Sequence, residues 1–121
     1  MPEESLLDFQ LIEKLKTATA KRGSDFWISL VDHFFTQAKA LISEISQSHQ
    51  QGDMEQVNKI AHKLKGSVAS IGAFTLAQLC SEIENHSANH YNEAKIDLLV
   101  DQLEHCYINT RPQLLKVFKN K

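Results

Sequence analysis

The sequence DMEQVNKIAHKLKGSVASIG, residues 53–72, has the apolar spacing of an amphipathic α-helix. At about 100° per residue, its apolar side chains fall on one stripe, which is formed by Val57, Ile60, Ala61, Leu64, Val68 and Ile71. Asp53 with Gln56 three residues later resembles a capping box, which begins a helix, and Gly72 is typical of the residue after a helix end. The stretch therefore predicts a helix with one buried face and two defined ends.

His62 lies off this apolar stripe, so we expect its imidazole to face solvent. Lys65 and Gly66 follow at i+3 and i+4 and are its neighbours on the helix surface, with Ala69 one turn further along the same flank. A glycine inside a helix costs about 0.5–1 kcal/mol relative to alanine. Gly66 lies almost opposite the apolar stripe, which argues against a helix–helix contact there. We interpret it as space for a large partner to reach the imidazole.

The string HKLKG at residues 62–66, followed by Gly72, resembles the signature of the histidine-phosphotransfer (HPt) domain family of two-component phosphorelay proteins. The resemblance implies an all-α fold, an antiparallel up-down-up-down four-helix bundle with an additional N-terminal helix. It also implies that residues 1–121 form a single histidine-phosphotransfer domain. The implied function is a phosphorelay intermediate: His62 accepts a phosphoryl group from the phosphoaspartate of one receiver domain and passes it to the receiver domain of another response regulator.

The resemblance also implies roles for the side chains around the histidine. An imidazole has an ordinary pKa of about 6.5, so much of it is unprotonated and nucleophilic near pH 7. The acceptor atom implied for His62 is Nε2, and Lys65 offsets the charge of the bound phosphoryl group. Glu84, on the following helix, is placed to accept a hydrogen bond from Nδ1–H, at a position where family members commonly carry an amide. A solvated surface glutamate is the alternative.

Features that the sequence lacks indicate which cofactors and partners to expect. The sequence contains neither a phosphate-binding loop nor a kinase-like glycine-rich signature, so direct use of ATP is not expected. No acidic cluster adjoins His62, although phosphoryl transfer normally needs a divalent cation. By resemblance, the chain binds no cofactor itself, is no enzyme in its own right, and relies on the receiver domain for catalysis and magnesium. The implied partners are receiver domains of response regulators and of a hybrid sensor histidine kinase.

A docking surface for such a receiver is predicted next to the histidine. Its predicted residues on the histidine helix are Ala69, on the flank of His62, together with Lys63 and Ser70. The preceding helix has a broad apolar stripe, and Phe35 and Ile42 lie at its edge, beyond the width that a core-facing stripe requires. We predict that they contribute to an exposed patch flanking His62. The alternative is that the N-terminal helix covers them.

Composition excludes several other classes of protein. The 121 residues are 42% hydrophobic with a net charge of −2, which suits one small core and provides no basic face for nucleic acid. No apolar run approaches the roughly 18–20 residues that cross a bilayer, and the first residues lack the basic region of a secretory signal. A cytoplasmic protein is expected, and the final helix has no heptad seam, which favours a monomer. Cys80 and Cys106 are predicted to be free, buried thiols.

Four further helices are predicted around the histidine helix. The first runs over about residues 5–21, and the second begins at a Ser24 cap and continues to about residue 49. The helix after the histidine runs over about residues 73–88 and carries inward Phe74, Ala77, Cys80 and Ile83. Asn92 is predicted to cap the last helix. Pro112 is predicted to kink it or to restart it with Thr110 as the new cap, because proline lacks an amide hydrogen.

Three other readings of the chain stay open at this point. His86 and His90, at i and i+4, could share a zinc ion, with His105 elsewhere in the chain. The chain could instead be a non-catalytic helical scaffold that binds receiver domains. It could also be a phosphohistidine phosphatase with His62 as nucleophile, which would need a general acid and phosphate-binding amides that a mid-helix histidine lacks.

Overall fold

The fold comes from a computed structural model, which describes residues 6–88 and 93–117. These residues form five α-helices and no strand: α1 (Phe9–Thr19), α2 (Gly23–Gln50), α3 (Met54–Ser70), α4 (Phe74–Ala88) and α5 (Glu93–Leu115). One turn of 3-10 helix, Ala20–Arg22, joins α1 to α2. The predicted all-α class is confirmed.

Helices α2 to α5 form the predicted four-helix bundle. Helix α3 packs against α2 and α4, and α5 packs against α4 and α2, so each of the four helices has two neighbours and the ring is closed. Successive helices are joined by short connections, as in an antiparallel up-down-up-down arrangement. No helix of the described residues is both long enough and apolar enough to span a membrane.

The histidine helix, α3, has the buried face that its periodicity predicts. Five of the stripe residues are fully buried and the sixth, Ile60, is 7% exposed. Asp53 caps the helix, because its carboxylate accepts a hydrogen bond from the Gln56 amide at 3.1 Å. Gly72 follows the helix end with a φ of +85°, as expected of a residue that reverses the chain.

Helix α1 is attached to the turn between α3 and α4. Asp8 caps α1 by accepting from the Leu11 amide, and its own amide donates to the carbonyl of Gly72 at 2.9 Å. The side chain of Ile12, on the next turn of α1, lies against the same glycine. The N-terminal helix is therefore held at one end of the bundle. It is shorter than predicted, and α2 begins at Gly23, so the predicted Ser24 cap is wrong.

The prediction that Phe35 and Ile42 form an exposed docking patch is wrong. Their side chains are 1% and 7% exposed. The Phe35 ring lies against the ring of Tyr107, with 5.3 Å between centroids, and the Tyr107 hydroxyl donates to the Phe35 carbonyl at 3.0 Å. Ile42 lies in a groove that Tyr107 also lines. Tyr107, which contacts Phe35 and lines the groove at Ile42, belongs to α5 rather than to α1, the helix named in the alternative.

Two predictions for α4 and α5 also need correction. Phe74, the first residue of α4, is 45% exposed, whereas Leu76 is fully buried. Helix α5 continues through Pro112 to Leu115, so the predicted restart is wrong, whereas the predicted kink stays a prediction. Thr110, the predicted cap of the restarted segment, is buried with its hydroxyl 3.5 Å from the Cys106 sulfur. The predicted Asn92 cap lies outside the described residues. Cys80 and Cys106 are free and buried, as predicted.

Candidate functional site

The imidazole of His62 projects into solvent from α3. Its side chain is 68% exposed. One turn further on, a Cβ added to Gly66 would meet nothing within 4 Å. Gly66 is therefore no point of close helix contact, and its missing side chain leaves open space beside the ring.

One nitrogen of the His62 ring is held by α4. Nδ1 of His62 lies 2.8 Å from Oε2 of Glu84, as the resemblance to the HPt family implied, so Glu84 is not a solvated surface glutamate without a partner. An ionised carboxylate only accepts hydrogen bonds, so the proton of this contact belongs to Nδ1. In the neutral ring, Nε2 then carries the free lone pair, because only one nitrogen of a neutral imidazole is protonated. The contact therefore leaves Nε2 as the unprotonated nitrogen of the neutral ring.

The same carboxylate also holds the lysine of the motif. Nζ of Lys65 lies 3.1 Å from Oε1 of Glu84, so the two oxygens of Glu84 serve two residues of α3. Desolvation raises the pKa of Glu84, but hydrogen bonds from Lys65 and His62 outweigh it, and the pKa lies below its ordinary value of 4.5. Glu84 is thus ionised at neutral pH. With a neutral imidazole, the charges of the three side chains sum to zero.

A further contact at this site was missed in the sequence. The side-chain amide of Asn58 donates to the backbone carbonyl of Glu84 at 2.8 Å. Asn58 lies one turn before His62 on α3, and an asparagine on a helix surface gives no sign of a partner on another helix. The hydroxyl of Ser87 donates to the same carbonyl at 3.0 Å, from within α4.

The remaining residues predicted for docking lie on the surface of α3. Lys63, Ala69 and Ser70 are all exposed. The Ser70 hydroxyl donates to the carbonyl of Ser67 at 2.7 Å, so it is engaged within its own helix. The structure thus brings together His62, Lys65 and Gly66 of α3 with Glu84 of α4. The three residues predicted for docking lie on the exposed surface of α3.

The histidines considered for zinc do not form a site in the part of the chain that is described. Across residues 6–88 and 93–117, no three His, Cys, Asp or Glu side chains lie together as a set that could hold a metal ion. Nδ1 of His105 lies 2.9 Å from the carbonyl of Asp101 within α5. His90 falls outside the described residues, so the pairing of His86 with His90 is not tested.

Curated phosphorelay proteins are similar to this chain over 86 residues, or 71% of its length. Multistep phosphorelay regulator 1 of Schizosaccharomyces pombe is 24% identical, and the match covers 29% of that protein. Phosphorelay intermediate protein YPD1 of Candida albicans is 26% identical, and the match covers 46% of it. The chain therefore spans less than half the length of either relative.

A solved structure has the same architecture. The crystal structure of histidine-containing phosphotransfer protein B (HptB) from Pseudomonas aeruginosa PAO1 matches with a TM-score of 0.79 over 96% of both chains, at 21% sequence identity. At this identity, the likeness shows that the two proteins share a fold. It agrees with the four-helix bundle and its additional N-terminal helix.

A family model supplies the remaining link. The model of the Hpt domain matches residues 29–111, which is more than half of the chain. The matched range excludes α1 and includes the His62 motif and Glu84. Because most of the bundle and the whole site fall within this match, the chain belongs to the Hpt domain family.

Proposed function

We propose that this chain is a phosphorelay intermediate. In this proposal, Nε2 of His62 accepts a phosphoryl group from the phosphoaspartate of one receiver domain and passes it to the receiver domain of another response regulator. The observation that carries the proposal is the state of the ring: it is 68% exposed, its Nδ1 is hydrogen-bonded to Glu84, and its Nε2 is left as the nucleophile. Family membership and the names of the similar phosphorelay proteins support the same function.

The transfer steps balance without a general base on this chain. The lone pair of His62 Nε2 attacks phosphorus, the bond from phosphorus to the aspartyl oxygen breaks, and the aspartate leaves as a carboxylate. No proton has to be removed, because Nε2 carries none, and the Nδ1 proton stays on the contact with Glu84. In the second step, an aspartate oxygen attacks phosphorus and the N–P bond breaks. Nε2 then recovers its lone pair.

Lys65 and Glu84 would set the electrostatics of both steps. A phosphoryl group carries close to two negative charges, which a lone carboxylate beside the ring would repel. Lys65 neutralises that carboxylate at 3.1 Å, so a phosphoryl group meets a site without net negative charge. The phosphorylated ring, with protons or phosphorus on both nitrogens, is positively charged, and Glu84 stabilises that charge through Nδ1–H. We therefore assign Lys65 to charge compensation and Glu84 to orientation of the imidazole.

The receiver domain would supply the rest of the catalysis. His62 lies in the middle of α3, where the backbone amides are engaged in the helix and none is free to bind a phosphate. This also argues against an independent phosphohistidine phosphatase. Phosphoryl transfer normally uses a divalent cation, which we assign, as magnesium, to the receiver partner. Lys63, Ala69 and Ser70, on the exposed surface of α3, are the proposed contacts of that partner. It stays a prediction that the protein is cytoplasmic, is a monomer and binds no nucleic acid.

The test compares the native chain with His62→Gln. Each is mixed with a ³²P-labelled receiver domain and magnesium, and label on the chain is followed over time. We expect acid-labile, base-stable label on the native chain and none on His62→Gln. His105→Gln is the matched control, because the side chain of His105 is 72% exposed, about as much as that of His62. It should be labelled at the native rate.

Two results would overturn the proposal. Label that persists on His62→Gln would place the acceptor on another residue. If several receivers transfer no label to the native chain, the alternative becomes the better reading: a non-catalytic helical scaffold that binds receiver domains. Binding of an unphosphorylated receiver, with equal affinity for the native chain and His62→Gln, would support that alternative.

A further inference from the structure

We propose that Asn58 is a positioning residue for the phosphoacceptor: it holds α4 against α3 so that the carboxylate of Glu84 reaches Nδ1 of His62. The inference rests on the proposed function for its effect on transfer, but the contact itself is independent of it. The amide nitrogen of Asn58 lies 2.8 Å from the carbonyl oxygen of Glu84. This is a bond between two helices made at the same residue that carries the orienting carboxylate.

Three residues of α3 hold Glu84 at three atoms. Asn58 binds its backbone carbonyl, His62 binds Oε2 and Lys65 binds Oε1. These residues are spaced i, i+4 and i+7, so they form one row along the helix. The first contact fixes the main chain of Glu84, and the other two depend on where its flexible side chain then reaches. Asn58 is half-buried, so its bond is partly shielded from competing water.

The carbonyl of Glu84 has a second donor that makes no contact between helices. The hydroxyl of Ser87 reaches it at 3.0 Å from three residues further along α4. Loss of the Ser87 hydroxyl removes a hydrogen bond from the same oxygen but leaves α3 and α4 tied together. Ser87→Ala is therefore a matched control. It shows whether an effect comes from losing a hydrogen bond to the Glu84 carbonyl or from losing the contact between α3 and α4.

The chemical consequence concerns the tautomer of His62. A hydrogen bond weakens steeply when donor and acceptor separate or misalign, so a small shift of the Glu84 backbone is enough to release Nδ1–H. The neutral ring would then exchange between its two tautomers. In the Nε2–H form, the proposed nucleophile carries a proton and cannot attack phosphorus.

The experiment reads the tautomer directly, without a phosphodonor. Ring ¹⁵N chemical shifts of His62 are measured in histidine-labelled native chain, Asn58→Leu, Asn58→Ala and Ser87→Ala. We expect the Nδ1–H form in the native chain and Ser87→Ala, and a mixture of both forms in the two Asn58 variants. Transfer from a phosphorylated receiver should fall by about tenfold in the Asn58 variants, less than the roughly hundredfold loss associated with a full misplacement of about 1 Å. Circular dichroism checks that each variant is folded, and Asn58→Ala alone is compared with Ser87→Ala if the larger side chain of Asn58→Leu disrupts packing.

The outcomes separate this inference from the proposed function. A native tautomer in every Asn58 variant that folds would overturn the positioning role, whatever the rate of transfer. An equal change in Ser87→Ala would overturn it too, because the carbonyl rather than the helix contact would then matter. If the tautomer changes only in the Asn58 variants while the native chain takes up no phosphoryl group, the positioning role stands and the proposed relay function fails.

Discussion

Two glycines of one short motif, Gly66 and Gly72, differ in their surroundings, since the first is exposed and the second is buried. Gly66 lies inside α3 on the exposed flank beside His62, and a Cβ there would meet nothing within 4 Å. Gly72 lies in the buried turn after α3 with a φ of +85°, and a Cβ there would lie 2.7 Å from Cγ1 of Ile12. The first glycine leaves open space beside His62. The second leaves space for the molecule's own N-terminal helix.

The comparison separates what the motif does for the site from what it does for the fold. A bulky substitution at Gly66 should slow transfer without lowering stability, since the helix itself prefers almost any other residue. A substitution at Gly72 should lower stability without changing the chemistry of a folded molecule. Motif residues that look equivalent in the sequence are therefore expected to differ in which measurement they affect.

The largest expected effect is the loss of stability in Gly72→Ala. A left-handed backbone costs a side-chain-bearing residue about 1–2 kcal/mol, and crowding against Ile12 adds about 1–3 kcal/mol. Chemical denaturation of the native chain and the variant measures the sum. Gly52→Ala is the matched control, because Gly52 has a φ of +74° but open space around it. It should lose only the backbone part, and equal losses at the two glycines would remove the role given to Ile12.

The next effect is on transfer, in Gly66→Leu. A bulky side chain beside the ring should keep the receiver from aligning its phosphoaspartate with Nε2, and a misplacement of about 1 Å costs about 100-fold in rate. The melting temperature should not fall, because the added side chain points into open space. Phosphoramidate, a small phosphodonor, is the control and should label the variant at the native rate. A parallel loss with the small donor would mean that Gly66 acts on the histidine itself.

Regions governed by one helix were predictable from the sequence. The six-residue stripe of α3, its Asp53 cap and the turn at Gly72 all depend on residues close together in the chain. In each case, local periodicity and capping chemistry contain the information. Glu84 was predicted on another ground, the resemblance to the HPt family, and its contact with His62 is present.

Regions governed by packing between distant helices were not predictable. Phe35 is covered by Tyr107, which is 72 positions later in the chain. Helix α5 continues through Pro112 although proline disfavours it, and Leu114 beyond it is fully buried, with its carbonyl accepting a 2.7 Å hydrogen bond from the Trp27 ring. Tertiary packing outweighs the local preference there. Asn58 was missed for the same reason, since its partner is a backbone atom of another helix.

A smaller effect is expected on stability in Gly66→Ala. It measures how much a glycine beside His62 destabilises the helix. Gly66→Ala should raise the free energy of unfolding by about 0.5–1 kcal/mol, because alanine restricts the unfolded chain and favours the helix. Transfer from a receiver should stay near the native rate, since a methyl group fills little of the space that Gly66 leaves. Denaturation and transfer are measured on the same preparation. Lower stability in this variant would contradict the open surroundings of Gly66.

The smallest expected effect is on the pH dependence of the free energy of unfolding, through the carboxylate of Glu84. The pKa of Glu84 is lowered in the folded chain, so its ionised form stabilises the fold at pH values above the ordinary 4.5. That contribution is lost as the pH falls through the lower folded pKa. Glu84→Gln keeps an acceptor for Nδ1–H but cannot ionise. The native chain should therefore be the more stable of the two at pH 7, by less than about 1 kcal/mol for a partly exposed pair, and the difference should shrink at acid pH. Denaturation curves at pH 7 and at a pH well below 4.5 measure the difference, and a difference that does not shrink at the lower pH would mean that the Glu84 carboxylate is not stabilised by Lys65 and His62.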